Sequence, residues 1–307
     1  MTEGGGFSHA ALLYRGQGEY LSAVDAVLRF SEGVAAPLHV AVPAMTGRLT
    51  GEAVRLTPRL RADDMTDLGG NPARIIPAAQ AFADDHAGTG VYCLWEPAWP
   101  ARSAAELREV ARHEALVNLA FRDQNMTILC LYDAAGLGDG VIRNAEYTHP
   151  LLSKGGSPLC PSAAYLGPGR LPPGCDEPLP PAAADAEPLA FGADISGVRE
   201  FAARHARAAG LDSGRVSDLV IAVSEIAGNA LDHGGGVIRA WCPGGELICQ
   251  VEDAGHITDP LAGRRRRPPD APSGHGLWLV NQLCDLVETR TGPAGTTTRI
   301  HMRCRGE

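Results

Sequence analysis

Nine prolines fall between Pro158 and Pro188, with PPGCDEPLPPAAADAEP at the centre, and no other feature limits the fold of this 307-residue chain as strongly. Proline fixes φ and lacks a backbone N–H, so neither a helix interior nor a central strand persists through such a run. The stretches on either side must each bury a core of their own, and the chain is long enough for two domains of ordinary size. The expected division is a first domain over 1–170, a semi-rigid linker over 171–190 and a second domain over 191–307.

Charge follows the same seam. Divided at residue 190, the chain has 14 basic and 22 acidic residues before the cut and 13 and 14 after it, so nearly all of the net charge of −9 lies in the first part. That balance argues against nonspecific nucleic-acid binding, which needs a basic face. No apolar run of transmembrane length occurs, and the N-terminus MTEGGGFSHA has no basic region followed by an apolar one. A cytoplasmic protein with no membrane partner is expected. The eight cysteines include no C-x-x-C pair and mostly sit in apolar runs, which favours reduced, buried thiols over disulfides or a structural zinc site.

The first part alternates short apolar runs with helical segments. LHVAVPA (38–44), VYCLW (91–95) and MTILCLYD (126–133) suit strands covered on both faces. Asn71-Pro72 reads as an N-cap followed by proline at the first helical position, opening a helix to about Asp85. Ser103 and Glu106 read as a capping box for a helix through Phe121. The β-α-β order predicts a mostly parallel α/β layer. No G-x-x-x-x-G-K-[ST] occurs, so phosphate cradling by that loop is excluded.

The second part has a different grammar. Ser196 is expected to cap a helix that ends at Gly210, and Ser213 to open another running to His233. VIRAWCP (237–243) and ELICQVED (246–253) flank a Gly-Gly turn and predict a hairpin. The helix GLWLVNQLCDLV and strands around VETRT and TTTRIHMR follow. The set predicts a two-layer α/β sandwich with helices on one face of a mixed sheet.

Within VSEIAGNALDH (223–233), Glu225 and Asn229 lie four residues apart and project from one side of a helix. A carboxylate and an amide oxygen so placed can accept a hydroxyl proton and ligate Mg2+ side by side, although a solvated polar pair has the same spacing. Three further motifs follow in order. Asp253-Ala254-Gly255 ends a strand, where a carboxylate can accept the exocyclic amine of adenine while glycine lets the base approach. Gly274-His275-Gly276-Leu277 is a glycine-rich turn opening a helix, whose free N–H groups suit phosphate oxygens. Thr296, after Gly295, carries a hydroxyl on the last strand that can reach the same base.

This series resembles the ATP-binding domain shared by gyrase, histidine kinases and mismatch-repair proteins, and within it the serine-kinase anti-sigma regulators. The resemblance covers about 190–305, and the N-A-x-x-H ending at His233 favours that branch. It implies Glu225 as general base, Asn229 as the Mg2+ ligand and Asp253 and Gly255 as adenine contacts. Gly274, His275, Gly276 and Leu277 would form the phosphate-binding turn, and Thr296 would complete the adenine pocket. The implied cofactors are ATP and Mg2+. The implied reaction is phosphoryl transfer to a serine or threonine of an anti-anti-sigma factor, with a sigma factor as alternative partner and a homodimer as the default assembly. A non-catalytic module that sequesters a sigma factor in the presence of ATP is the alternative. A histidine kinase is disfavoured, because no helical segment bearing a phosphoacceptor histidine precedes the ATP domain. Ile257 stands where the family often has a second glycine, and Arg264 to Arg267 read as a solvated charge run or a phosphate clamp.

The first part has its own resemblance over about 7–170. His9-Ala-Ala-Leu-Leu-Tyr14, the helix with His113-Glu114 and Asn118, the strand LCLYD (129–133) and Tyr147-Thr-His149-Pro150 resemble the MEDS sensory domain. That family is a degenerate relative of recombinase-like ATPases, so it implies a three-layer fold around a mostly parallel sheet and a small hydrocarbon-derived ligand. His9 and Cys130 are the implied ligand-contacting positions, with a ligand or metal between them, and His149 is a third candidate. Local hydrogen bonding of the histidines and burial of Cys130 in the core are the competing readings.

Overall fold

A computed structural model of the chain describes residues 6–43, 59–266 and 274–304 and forms two compact units, Met1–Cys175 and Asp176–Glu307. Ala44 of LHVAVPA and residues 267–273, which include Arg267, lie outside the described residues.

The first unit contains β1 (Ser8–Tyr14), α1 (Gly16–Gly33), β2 (Leu38–Val42), β3 (Leu60–Asp64) and α2 (Met65–Leu68). A 3-10 turn, Pro72–Arg74, runs into α3 (Ile75–Asp85), followed by β4 (Val91–Trp95), α4 (Ala104–Ala120) and β5 (Met126–Asp133). α5 (Asp139–Thr148), β6 (Leu151–Lys154) and β7 (Cys160–Pro161) complete it. The sheet order is β3-β2-β4-β5-β1-β6-β7, parallel throughout except that β7 runs antiparallel to β6. Local chemistry starts the helices. The Asn71 side chain accepts from Ala73 N, and Ser103 and Glu106 form the reciprocal capping box of α4. One sheet face packs Ala10, Val40, Leu94, Leu129 and Leu131 against Tyr20, Val24, Val27 and Leu28 of α1. Each valine or leucine among them contributes about 1.5–3 kcal/mol when fully buried. His9 and Cys130 project from the opposite face, toward α4, because side chains alternate along a strand and Cys130 pairs with Ala11, which shares the His9 face.

The second unit contains β8 (Glu187–Phe191), α6 (Ser196–Ala208), α7 (Ser213–Leu231), β9 (Gly236–Trp241) and β10 (Glu246–Asp253). α8 (Gly276–Leu283), β11 (Leu286–Gly292) and β12 (Gly295–Arg303) follow. The order is β11-β12-β10-β9-β8, and every pair is antiparallel, not mixed. Two tight turns impose the β9–β10 and β11–β12 reversals. At the first, Gly244 and Gly245 both have positive φ, 59° and 84°, as a two-residue hairpin turn requires. β8 arises from the stretch expected to be linker, and Pro188 is accommodated because β8 is an edge strand. Val198, Phe201, Leu219, Val223, Ile226 and Val280 of the helices pack on Ile238, Cys249, Val251 and Ile300 of the sheet, giving the two-layer sandwich its core.

Three local expectations shift. Ser196 is the first residue of α6, not its cap, and its N–H and hydroxyl both donate to Asp194, at 2.8 and 2.5 Å. Ser213 likewise begins α7, and Asp212 accepts from Arg215 N at 2.9 Å. A carboxylate at a helix N-terminus adds a favourable charge–dipole interaction that a hydroxyl lacks. α8 ends at Leu283, and the Leu286-Val287 portion of its apolar run belongs to β11, since a short apolar run is legible either way.

Candidate functional site

The second unit brings the ordered motifs against the C-terminal half of α7. Glu225 is half-buried there and Asn229, one turn on, is exposed. Gly276, the first residue of α8, packs on Glu225 so closely that a Cβ at Gly276 would lie 2.6 Å from Oε2. Gly255 packs on His233, where a Cβ would meet Cδ2 at 2.3 Å. Gly255 N also donates to Asp253 Oδ1 at 2.7 Å. The β10–β12 register sets Asp253 opposite Thr296, whose buried hydroxyl donates to Gly255 O at 2.8 Å and lies 2.6 Å from Thr291 Oγ1. Gly295, at φ 120°, is equally constrained, because a Cβ there would lie 2.0 Å from Asp253 O. Thr296 therefore holds the Asp253–Gly255 corner in place, while its oxygen retains acceptor capacity.

The residues expected to form the phosphate turn sit at the start of α8. Gly274 is exposed with φ 91°, and His275 precedes the helix without a side-chain cap on its first turn. Leu277 is half-buried against Gly263, whose Cβ position would lie 2.9 Å from Leu277 Cβ. Asn281 Nδ2 donates to Gly263 O at 3.1 Å and to Leu277 O at 3.0 Å, so the segment before residue 267 is pinned to α8. Ile257 N donates to Thr291 Oγ1 at 3.2 Å. Arg264 is buried and so departs from a solvated charge run, whereas Arg265 and Arg266 are exposed. A side chain at Gly255, Gly263, Gly276 or Gly295 would collide with the protein's own atoms. The uncapped helix start and two carboxylates beside them are a donor and acceptor set that fits a nucleotide with its metal.

In the first unit His9, Cys130 and His149 come together at a residue that sequence reading quoted only as part of a motif, Glu114. All four are completely buried. Glu114 Oε2 lies 3.0 Å from His9 Nε2, 3.3 Å from His149 Nε2 and 3.6 Å from Cys130 Sγ, and Cys130 Sγ is 3.5 Å from His9 Nε2. Tyr132 OH donates to Glu114 Oε1 at 3.1 Å. His9 Nδ1 lies 3.1 Å from Asn118 Oδ1, and Asn118 Nδ2 donates to Thr148 O at 2.7 Å. Burial first and His149 second push the His9 imidazole down to about 4. Burial alone would raise the Glu114 carboxyl, but His149 and His9 outweigh it and hold it well below the usual carboxylate range. Burial, then Glu114, drive the Cys130 thiol well up. The signal for Glu114 was its place on a helix facing the strand with Cys130, but the sequence does not say which face of α4 meets the sheet.

Among the described residues no helix is long and apolar enough to cross a membrane, and all eight cysteines are free.

Fold and residue groups define the class: a parallel-sheet unit around a buried polar cluster, then an α/β sandwich that sets Glu225 against Gly276 and Asp253 opposite Thr296. Residues 8–150 match the model of the MEDS family, the methanogen/methylotroph, DcmR sensory domain, and residues 191–302 match the histidine kinase-like ATPase domain. The chain thus carries a MEDS domain followed by a histidine kinase-like ATPase domain. No curated protein matches it. A crystal structure of the RsbU and RsbW domains of Rv1364c from Mycobacterium tuberculosis is 25% identical, covers 38% of this chain and 32% of that one, and superposes with a TM-score of 0.28. The match spans about a third of that protein's length, and a likeness this slight bears on neither fold nor function.

Proposed function

We propose that the chain is an anti-sigma regulatory factor whose second unit transfers a phosphoryl group from Mg-ATP to a serine or threonine of an anti-anti-sigma partner. Its MEDS unit would modulate that activity in response to a small molecule. The observation that carries this reading is the seating of Glu225 Oε2 against Gly276, at the start of the helix expected to receive phosphate. Glu225 would take the substrate hydroxyl proton, a contribution of about 10²- to 10⁴-fold for a well-placed base. Asn229 would hold Mg2+, which neutralises charge on the transferring phosphate. Asp253, Gly255 and Thr296 would receive adenine, and Gly274 to Leu277 the phosphates. A kinase of this kind controls transcription by choosing its partner, since phosphorylating the antagonist leaves it free to hold a sigma factor.

The test is to purify the chain with its bound partner, titrate Mg-ATP calorimetrically and assay phosphoserine in wild type and Glu225→Ala. Loss of transfer with nucleotide binding retained supports the kinase. ATP binding by the wild type with no transfer to any co-purified protein supports the sigma-sequestering module. Absence of heat on adding adenine nucleotides removes both.

A further inference from the structure

The buried cluster of the MEDS unit is arranged as metal ligands are arranged, and this holds whatever the second unit does. Ala145 O can only accept, so His149 Nδ1, 2.8 Å away, carries a proton, and Nε2 is the nitrogen that faces the cluster. That Nε2 is completely buried and has no hydrogen-bond partner, although Glu114 Oε2 lies 3.3 Å away. His9 has the same orientation for a different reason. Both protons of the Asn118 amide are directed at carbonyls, those of Glu114 at 3.0 Å and Thr148 at 2.7 Å, so its oxygen faces His9 Nδ1 and accepts from it. His9 Nε2 then also faces inward, 3.0 Å from the same carboxylate oxygen.

Two imidazole nitrogens, a carboxylate oxygen and a thiol sulfur converge there, a set of ligand atoms that one cation can bridge. The spacing fits that cation. Bonds of about 2.0–2.3 Å to N, O and S in a tetrahedron place ligand atoms roughly 3.3–3.6 Å apart. The four separations given above run from 3.0 to 3.6 Å. All four ligand atoms lie within 4.8 Å of one another. Charge fits as well: a divalent ion with one carboxylate, one thiolate and two neutral imidazoles is neutral overall, which suits side chains fully withdrawn from water. On binding, the Cys130 S–H bond breaks, sulfur keeps the electron pair for the metal, and the proton leaves to solvent.

We propose that His9, Glu114, Cys130 and His149 bind one divalent transition-metal ion of the zinc type, closed in by four protein ligands, with Tyr132 orienting Glu114 and Asn118 orienting His9. Imidazole and thiolate ligands select such an ion over Mg2+ or Ca2+.

The full chain, stripped with chelator and titrated with Co2+ alone in the absence of nucleotide, tests this. One Co2+ per chain is expected, with the intense visible bands of a tetrahedral centre and a thiolate-to-cobalt charge-transfer band. Zn2+ should displace it and bleach the spectrum. Cys130→Ser should lose the charge-transfer band, while alkylating the exposed Cys160 and Cys242 should leave it. Asn118→Ala should weaken Co2+ retention by about 10- to 100-fold. Should Cys130→Ser fail to fold, the wild-type spectrum after alkylation decides alone. Uptake below one ion per chain, only weak octahedral bands, or a charge-transfer band that survives in folded Cys130→Ser overturns the proposal.

Discussion

Glu225 and Gly276 are in van der Waals contact across two helices, so close that no side chain fits at the glycine without displacing the carboxylate. This contact makes a prediction that separates function from stability. Alanine favours a helix over glycine by about 1 kcal/mol, so Gly276→Ala should leave the thermal midpoint of the second unit unchanged or raised. Its methyl would force Glu225 aside, and phosphoryl transfer should fall at least about tenfold, the loss for a misplaced base. Paired melting and transfer assays check it; unchanged transfer would show that Glu225 is not held where the reaction needs it.

Thr296→Val removes the hydroxyl that donates to Gly255 O while keeping the shape of the side chain. The carbonyl loses its donor in a buried place, at a cost of about 1–3 kcal/mol. Because that bond holds the Asp253–Gly255 corner, adenine nucleotide affinity should drop along with stability, whereas Thr296→Ser should restore both. Urea unfolding and nucleotide titration on the three proteins give the answer.

Ser103→Ala tests how far one helix supports the buried cluster of the MEDS unit. Ser103 Oγ accepts from Glu106 N at 3.2 Å, and Glu106 Oε2 accepts from Ser103 N at 2.7 Å. Losing the serine half should cost about 1 kcal/mol. Since α4 carries Glu114 and Asn118, hydrogen exchange of its first two turns should accelerate in the variant before that of β1 or β5.

His301 gives the second unit a dependence on pH. Burial acts to lower its pKa, but hydrogen bonds to Glu246 at 3.1 Å and Glu288 at 3.2 Å outweigh this and raise it above the usual 6.5. A raised folded-state pKa means that the stabilisation is complete below about 6.5 and is lost as pH rises through the folded value. The urea midpoint of the second unit should therefore fall from pH 6 toward higher pH, and His301→Gln should flatten that slope. A midpoint whose slope is the same in wild type and variant would count against the assignment.

Much of this architecture is local and was therefore legible in the chain. The proline run divides it, Asn71 and Ser103 start their helices, and Gly244-Gly245 reverses a hairpin. Each of these interactions lies within a few residues, so sequence spacing and geometry coincide. The Glu225–Asn229 pair and the glycines at 255 and 276 were legible as motifs for the same reason, since each sits inside one helix or one turn. Where two local solutions compete, as between Asp194 and Ser196 at the start of α6, the stronger acceptor wins, and a pattern of residue types alone did not rank them.

Tertiary structure decided the partners. The cysteine spacings gave no sign of the buried cluster, because His9 and Cys130 are 121 positions apart and meet only through the pairing of β1 with β5. Glu114 joins them because α4 lays one particular face on that sheet, a choice made by packing over its whole length and not by its immediate neighbours. The Glu225–Gly276 contact has the same origin: two helices, each readable alone, touch only when a common sheet brings their surfaces together. Short-range bonding fixed the pieces, and burial of the apolar faces against the two sheets fixed which pieces touch.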